Sequence, residues 1–340
     1  MEQLNVSVAC LKGSTFEIGV KQGEEIKTTQ LVKQLDFLEK LTTNTNPKIA
    51  KERLMDIAPR FLEELTGLAK GLNLELETVI KLYSGYDVDF PSMGCTTFIH
   101  EDYYVRNYDF SPDMYDARLV FSNPTGGYAS VGFSQNVIGR LDGMNEKGLV
   151  VGLHFVNDEQ KGEGFLATTI VRLLLDQCSS VKEAVDFIST IPHGFCYNYS
   201  FTDSSGEGVI VEAAPEKQVV HFRNPLICTN HFEADMLQEK NKKEIQGSLK
   251  RKEYIRSLLI EELSPISAYY HFNDGNSPLF FKYYKEYFGT LHTVVYLPKQ
   301  LSVIIGIGEN CEPIILSLKK YLDGTSALPK AIKGVINFLM

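Results

Sequence analysis

The chain has 340 residues, 44% of them hydrophobic and 23% charged, with 20 Phe, 17 Tyr and no Trp. That composition suits a soluble globular protein with room for one large or two ordinary domains. A net charge of -9 speaks against a nucleic-acid surface, and no apolar run approaches the length of a membrane span. Six scattered cysteines, Cys10, Cys95, Cys178, Cys196, Cys228 and Cys311, form no C-x-x-C pair and no zinc-type spacing with His, so neither a metal nor a cofactor is expected. The opening Met-Glu-Gln-Leu-Asn-Val lacks a basic n-region and a long apolar stretch, which reads as no signal peptide, reduced thiols and a cytoplasmic location.

In chain order, residues 6–12 read as a short strand. Ser14-Thr15-Phe16-Glu17 has the form of a capping box, and helical spacing follows through Phe16, Ile18, Val20, Leu31, Leu35, Leu38 and Leu41. Pro47 suits the first turn of a further helix, whose apolar stripe includes Ile49, Leu54, Ile57, Phe61, Leu65, Leu68 and Leu72; another runs from Leu76 to Leu82. Residues 16–88 are therefore mainly helical, and the β-rich stretch after them marks a change of architecture.

That change is centred on Met93-Gly94-Cys95-Thr96-Thr97-Phe98-Ile99. The β-branched and aromatic run favours a strand, His100-Glu101-Asp102 turns the chain, and Tyr103 to Phe110 returns it. A hairpin centred on Glu101-Asp102 sets Thr97 opposite Arg106 and Gly94 opposite Asp109. Alternate residues share a face, so Arg106 lies diagonal to Cys95 and on its side; a slip of one residue would move it to the other. Residues three apart on a regular strand face opposite ways, so Arg106 and Asp109 both line one site only if the strand bends or ends near Tyr108.

Further strands are expected at Arg118–Ser122, Tyr128–Phe133, Val137–Leu141 and Gly148–Val156, with Asp142 to Gly148 as an Asn- and Gly-rich turn. Helices follow at Leu166–Gln177 and Val181–Ser189. A second β block covers Tyr197–Thr202, Gly208–Ala213, Gln218–Phe222 and Leu226–Thr229, with Asn230 at its end. Helices over 247–262 and 265–271 and a hairpin of Thr293–Tyr296 with Ser302–Ile307 complete the chain. This α+β order suits two packed sheets covered by helices. Gly306-Ile307-Gly308 lacks the third glycine and acidic partner of a dinucleotide loop.

Gly94-Cys95-Thr96-Thr97 followed by Arg106-Asn107-Tyr108-Asp109, with Asp142-Gly143-Met144-Asn145-Glu146-Lys147-Gly148-Leu149 and Asn230, resembles the N-terminal-nucleophile cysteine amidohydrolases: bile-salt (choloylglycine) hydrolases, penicillin V acylases and 6-aminopenicillanic-acid acyltransferases. The resemblance implies an αββα sandwich of two mainly antiparallel sheets, chemistry on linear amide bonds, and autocatalytic cleavage before Cys95. In the acyltransferase branch a long segment precedes the Gly-Cys junction; here 94 residues do, which favours that branch. Residues 1–94 then read as a propeptide that stays associated, and 95–340 as the hydrolase domain.

The resemblance also implies the roles of the site residues. Cys95 is the nucleophile. A thiol of pKa about 8.5 is only a few per cent ionised at pH 7, and the α-amine freed by cleavage, with a reference pKa of about 7.7–8.0, supplies the base. Arg106 biases the thiol toward thiolate, Asp109 holds the free amine, Asn230 donates to the oxyanion, and Arg251 orders the site. His154 stands where bile-salt hydrolases carry asparagine; its backbone N–H serves the oxyanion hole and its side chain is not expected to be the base. Each has a plainer alternative: core cysteine, structural ion pair, turn-forming Asn, solvated basic helix face. Phe280-Phe281-Lys282-Tyr283-Tyr284 and Tyr287-Phe288 read as helical core packing or an acyl-binding lid. The implied partner is a small-molecule N-acyl amide or acyl thioester, with homo-oligomerisation left open. The leading reading is a hydrolase of linear amide bonds in N-acyl compounds; an acyltransferase passing the acyl group from a thioester to an amine is the alternative, and an idle family member that only binds an acylated molecule the second.

Overall fold

The structure, a computed structural model, describes residues 2–337 except 30, 32–34, 90, 92, 158, 223–224, 261 and 287. Strand β1 (Glu2–Gly13) leads into helix α1 (Thr15–Thr28) through the capping box, with Ser14 accepting from the Glu17 N–H while Glu17 accepts from the Ser14 N–H. Helices α2 (Leu35–Leu41), α3 (Pro47–Ile57), α4 (Pro59–Leu72) and α5 (Leu76–Tyr83) follow, α3 with Pro47 in its first turn under an Asn46 cap. The α4 stripe of Phe61, Leu65 and Leu68 is buried, each side chain contributing about 1.5–3 kcal/mol. Gly19 and Gly23 of α1 meet Gly67 and Gly71 of α4 backbone to backbone. A Cβ on Gly23 would lie 2.7 Å from the Leu72 nitrogen, and one on Gly19 or Gly67 would overlap a carbonyl oxygen of the other helix. The sequence reading missed this pair of small-residue faces.

The chain then runs β2 (Gly94–His100), β3 (Tyr103–Phe110), β4 (Arg118–Pro124), β5 (Ser130–Gln135), β6 (Gly139–Asn145), β7 (Val150–Asn157), α6 (Ala167–Gln177), α7 (Val181–Ile188), β8 (Cys196–Thr202), β9 (Gly208–Ala214), β10 (Lys217–His221) and β11 (Leu226–Cys228). After them come α8 (Gln246–Leu258), α9 (Pro265–Asn273), β12 (Lys282–Tyr283), β13 (Phe288–Leu297), β14 (Ser302–Ile307), β15 (Ile314–Ser317), α10 (Leu318–Leu322) and β16 (Ala331–Ile336). One sheet has the order β10-β9-β8-β7-β6-β5-β4-β1-β16 and the other β11-β2-β3-β13-β14-β15, with β12 on β13. Among these strand pairs only β1–β4 is parallel. The sheets face each other where β2 meets β7; α6 and α7 cover the outer face of the first, α8 and α9 that of the second. This is the αββα sandwich.

Three expectations need correction. Asp142 to Asn145 is not a turn but the end of β6, with Asp142 opposite Gly152 of β7; the reversal is confined to the residues after Asn145, whose side chain accepts from the N–H groups of Lys147 and Leu149. The aromatic stretch from Phe280 is not helical: it holds β12, a short 3₁₀ turn over Tyr284–Glu286 and the start of β13, while Tyr287 lies outside the described residues. β15, α10 and β16 had no counterpart in the sequence reading.

The segment before Cys95 is joined to the rest by more than chain continuity. β1 is an inner strand between β4 and β16. Arg172 of α6 donates to both Glu64 oxygens (Nη2 to Oε2, 2.6 Å), and Gln22 bridges Glu64 (2.6 Å) and Arg118 (3.0 Å), all four side chains being buried.

Candidate active site

The β2–β3 hairpin has the register read from the sequence, with Gly94 opposite Asp109, Cys95 opposite Tyr108 and Thr97 opposite Arg106. Cys95, Thr97, Arg106 and Tyr108 share the face toward the other sheet; Gly94, Thr96, Asn107 and Asp109 face α8 and α9. β3 does not end at Tyr108 but runs regularly to Phe110, and the irregularity lies in its neighbour β13, between Thr290 and His292. The two charges therefore serve different atoms: Arg106 addresses the thiol, and Asp109 lies beside the backbone of the Gly94–Cys95 junction.

On the inter-sheet face, Arg106 Nη2 is 3.0 Å from Cys95 Sγ and donates to the Leu153 carbonyl at 2.7 Å. Its Nη1 pairs with Asp142. Asp142 also accepts from Tyr296 at 2.5 Å and lies 3.4 Å from His292 Nε2. Gly152 makes room for this arrangement: a Cβ there would overlap the Tyr104 hydroxyl and sit 3.3 Å from Arg106 Cδ. Burial pushes the Cys95 thiol up to about 12 despite Arg106 and Arg251, with Asp109 and Asp142 adding to the rise. Burial alone would raise Asp142, but Arg106, His292 and Tyr296 more than offset it and hold the carboxyl below its usual range. With residue 95 inside a peptide bond, burial thus favours the neutral thiol, and a fixed cation lies against it. Asp142, Tyr296 and His292 were missed by sequence reasoning. The signal for Asp142 was its place in the Asp-Gly-Met-Asn-Glu-Lys-Gly motif, masked by the turn reading.

On the helix face, Arg251 reaches from α8. Nη1 donates to the Cys95 carbonyl (2.8 Å) and Thr96 Oγ1 (2.6 Å), Nη2 donates to Asn230 Oδ1 (2.9 Å), and Nη1 lies 3.7 Å from Asp109 Oδ2. Arg251 is buried, unlike a solvated basic face. Asp109 Oδ1 accepts from Thr290 at 2.6 Å; burial raises its carboxyl, with Arg251 and Thr290 opposing. Asn230 lies two residues past the Cys228–Thr97 pair. Its Oδ1 accepts the Cys95 N–H at 3.0 Å, and its Nδ2 donates to the Phe155 carbonyl at 2.7 Å. Ser248, one helical turn before Arg251, accepts the Asn230 N–H at 2.8 Å, a spacing of three that was readable on the helix.

His154 lies on β7, its Nε2 2.9 Å from Ser200 Oγ. Burial, then Arg106 and Arg251, hold its imidazole well below 6.5, so it is a poor proton acceptor. Beside Gly94 opens a cavity of about 250 Å³ lined by Met93, Phe155, Val156, Phe281 and Phe288, with Lys242, Glu244 and Arg251 adding charge.

Residues 99–311 match the family model of the acyl-coenzyme A:6-aminopenicillanic acid acyl-transferases. The chain belongs to this family. The matched span starts just past Cys95 and takes in Arg106, Asp109, His154, Asn230 and Arg251. A search of the curated proteins finds no match. Among solved structures, the chain is similar to the conjugated bile acid hydrolase of Clostridium perfringens (14% identity, 72% of this chain and 97% of that one, TM-score 0.45). It is also similar to the penicillin V acylase of Agrobacterium tumefaciens (16%, 65% and 84%, 0.38). A third is the Caenorhabditis elegans N-acylethanolamine-hydrolyzing acid amidase ortholog (15%, 60% and 93%, 0.39). As a member of the acyl-transferase family the protein is an enzyme of acyl-group chemistry.

Proposed function

We propose that the protein is a self-processing hydrolase of linear N-acyl amides that works through an acyl-Cys95 intermediate. The observation that carries this reading is the convergence on Cys95: Arg106 on its sulfur, Asn230 on its N–H and Arg251 on its carbonyl, next to a cavity bounded by Gly94. In processing, Sγ attacks the Gly94 carbonyl. The S–C bond forms, the Gly94–Cys95 C–N bond breaks, and the thiol proton passes to the Cys95 nitrogen. Water then hydrolyses the thioester, giving a Gly94 carboxylic acid and restoring the thiol. In turnover the new α-amine takes the thiol proton and hands it to the leaving amine of the substrate. Water resolves the acyl-enzyme to a carboxylic acid.

Asn230 and the His154 backbone N–H would donate to the oxyanion. The Asn230 Nδ2 bond to Phe155 and the Cys95 N–H bond to Asn230 belong to the uncut chain, and cleavage converts that N–H into an amine. Segment 1–94 would stay bound, held by β1 and the buried Glu64–Arg172 pair.

Transfer of an acyl group from a thioester such as acyl-coenzyme A to an amine is the second reading, favoured by the matched family itself. N-terminal sequencing and intact mass of freshly purified protein, before and after a reactive acyl donor, test the scheme. Expected are a new N-terminus at Cys95 and one acyl adduct on that fragment, and a fully active but uncut chain would sink it. Water or an added amine as the acceptor, read from the products, separates the two readings.

A further inference from the structure

We infer that this enzyme selects acyl groups whose α-carbon, the one next to the carbonyl, is an unbranched CH2, and that Phe288 with Asp109 sets this preference. The inference rests on the proposed shared use of Cys95 in processing and turnover. If the same sulfur attacks both carbonyls from the same position, the α-carbon of a substrate's acyl group takes the place of Gly94 Cα. That place is closed on one side. A Cβ on Gly94 would overlap the tip of the Phe288 ring and lie 3.0 Å from both Cβ and Oδ2 of Asp109.

Neither wall yields easily. Asp109 Cβ is fixed by the Gly94–Asp109 register of the hairpin. Phe288 starts β13 opposite Tyr283 and rests edge-on against Phe281, with ring centroids 5.3 Å apart; Phe281 in turn carries the Arg251 guanidinium 5.1 Å from its centroid. A methyl in that position would also press on a carboxylate oxygen already lacking a hydrogen bond. The direction left open is the one the Gly94 nitrogen takes toward Met93, along the cavity walls of Phe155 and Val156. An acyl chain can extend there, but it cannot branch at its first carbon on the Phe288 side.

One group more or less in a tight pocket is typically worth about 10–200-fold in kcat/KM. The test compares p-nitroanilides of hexanoic acid and of the two enantiomers of 2-methylhexanoic acid on the purified full chain and on Phe288→Ala. Expected is a preference for the linear acyl group of about 10–200-fold over the enantiomer whose methyl lies where an L-residue carries Cβ, shrinking several-fold in Phe288→Ala. Equal rates on linear and branched acyl groups in the unaltered protein would overturn the inference while leaving the amidase reading intact. A second arm needs no external substrate: Gly94→Ala should slow self-cleavage, followed by intact mass, and Gly94→Ala with Phe288→Ala should recover part of it. Gly94→Ala cleaving at the normal rate overturns the inference as well. No cleavage and no turnover of any acyl substrate by the unaltered protein would instead remove the functional reading, and this inference with it.

Discussion

Two buried arginine–carboxylate pairs invite comparison. Arg172 and Glu64 join α6 to α4, and Arg106 and Asp142 join the two sheets; all four side chains are buried. At Arg172 the nitrogens are used up on structure: Nε bonds both oxygens of Asp176, Nη1 and Nη2 take Glu64, and Nη1 also meets the Ile138 carbonyl. At Arg106, Nη1 is held by Asp142, while Nη2 bonds the Leu153 carbonyl and also reaches the sulfur. The lesson is that a buried ion pair says little about function by itself. A cation tightly held on one side, with a donor still directed at a nucleophile, says a great deal.

The largest expected effect isolates that nucleophile. Cys95→Ala should abolish processing and acyl transfer while the melting temperature stays near that of the unaltered protein, because a small apolar residue replaces a buried thiol. Substantial activity in this variant, measured with any acyl substrate, would end the comparison by removing the group that Arg106 serves.

The next pair of experiments sets the two arginines against each other. Arg172→Met leaves Glu64 buried without its cation and should cost about 3–5 kcal/mol of stability, with kcat per folded molecule unchanged. Arg172→Met with Glu64→Leu should recover much of that loss. Arg106→Met should cost stability similarly through Asp142, and also lose nearly all activity in the molecules that remain folded. Denaturant melts run beside kinetics decide it; an active Arg106→Met would show the pair to be as structural as Arg172–Glu64.

Asn230→Ala comes after these. If Asn230 donates to the oxyanion in the processed enzyme, its loss should lower kcat by about 10²–10³ and change KM and melting temperature little. Near-normal kcat, or a fold too damaged to compare, would reassign Asn230 to holding the Cys95 backbone.

The same contrast explains what was legible in the sequence. The hairpin and its register could be read because a polar turn between two β-branched and aromatic runs fixes both face and partner; Arg106 followed from it. Arg251 was found through resemblance alone, since its neighbours Lys250 and Lys252 hide a buried residue among charges. Asp142 was misread because Gly143, Asn145 and Gly148 carry turn chemistry, and pairing with β5 and β7, which sets Asp142 between Phe133 and Gly152, keeps this stretch extended. The Gly19/Gly23 and Gly67/Gly71 faces were there to be read, yet spacing of small residues draws no attention beside stripes of leucine. No local pattern could tell that β1 pairs with β4 and β16, because both pairings join segments far apart in the chain.

The smallest expected effect concerns acid, and it separates the two carboxylates that flank Cys95. Asp142 is held below its ordinary value by Arg106, His292 and Tyr296 against the cost of burial. Its contribution to stability is therefore present above the unfolded value of about 3.9 and is lost as pH falls through the lower folded value. Asp109 is shifted the other way, chiefly by burial. Above about pH 3.9 the folded state holds its proton longer than the unfolded chain, so stability declines as pH rises toward and through the raised folded value. Urea unfolding of the uncut Cys95→Ala chain between about pH 3 and 6, a range bracketing the reference carboxylate value, reads both. Asp142→Asn should flatten the acid limb below about pH 4, and Asp109→Asn should remove a decline that lies above it. Shifts of the same sign from the two variants would mean that Asp109 is stabilised by Arg251 as firmly as Asp142 is by Arg106. The thiol would then sit between two equivalent ion pairs, not between a firmly held cation and a carboxyl that burial disfavours.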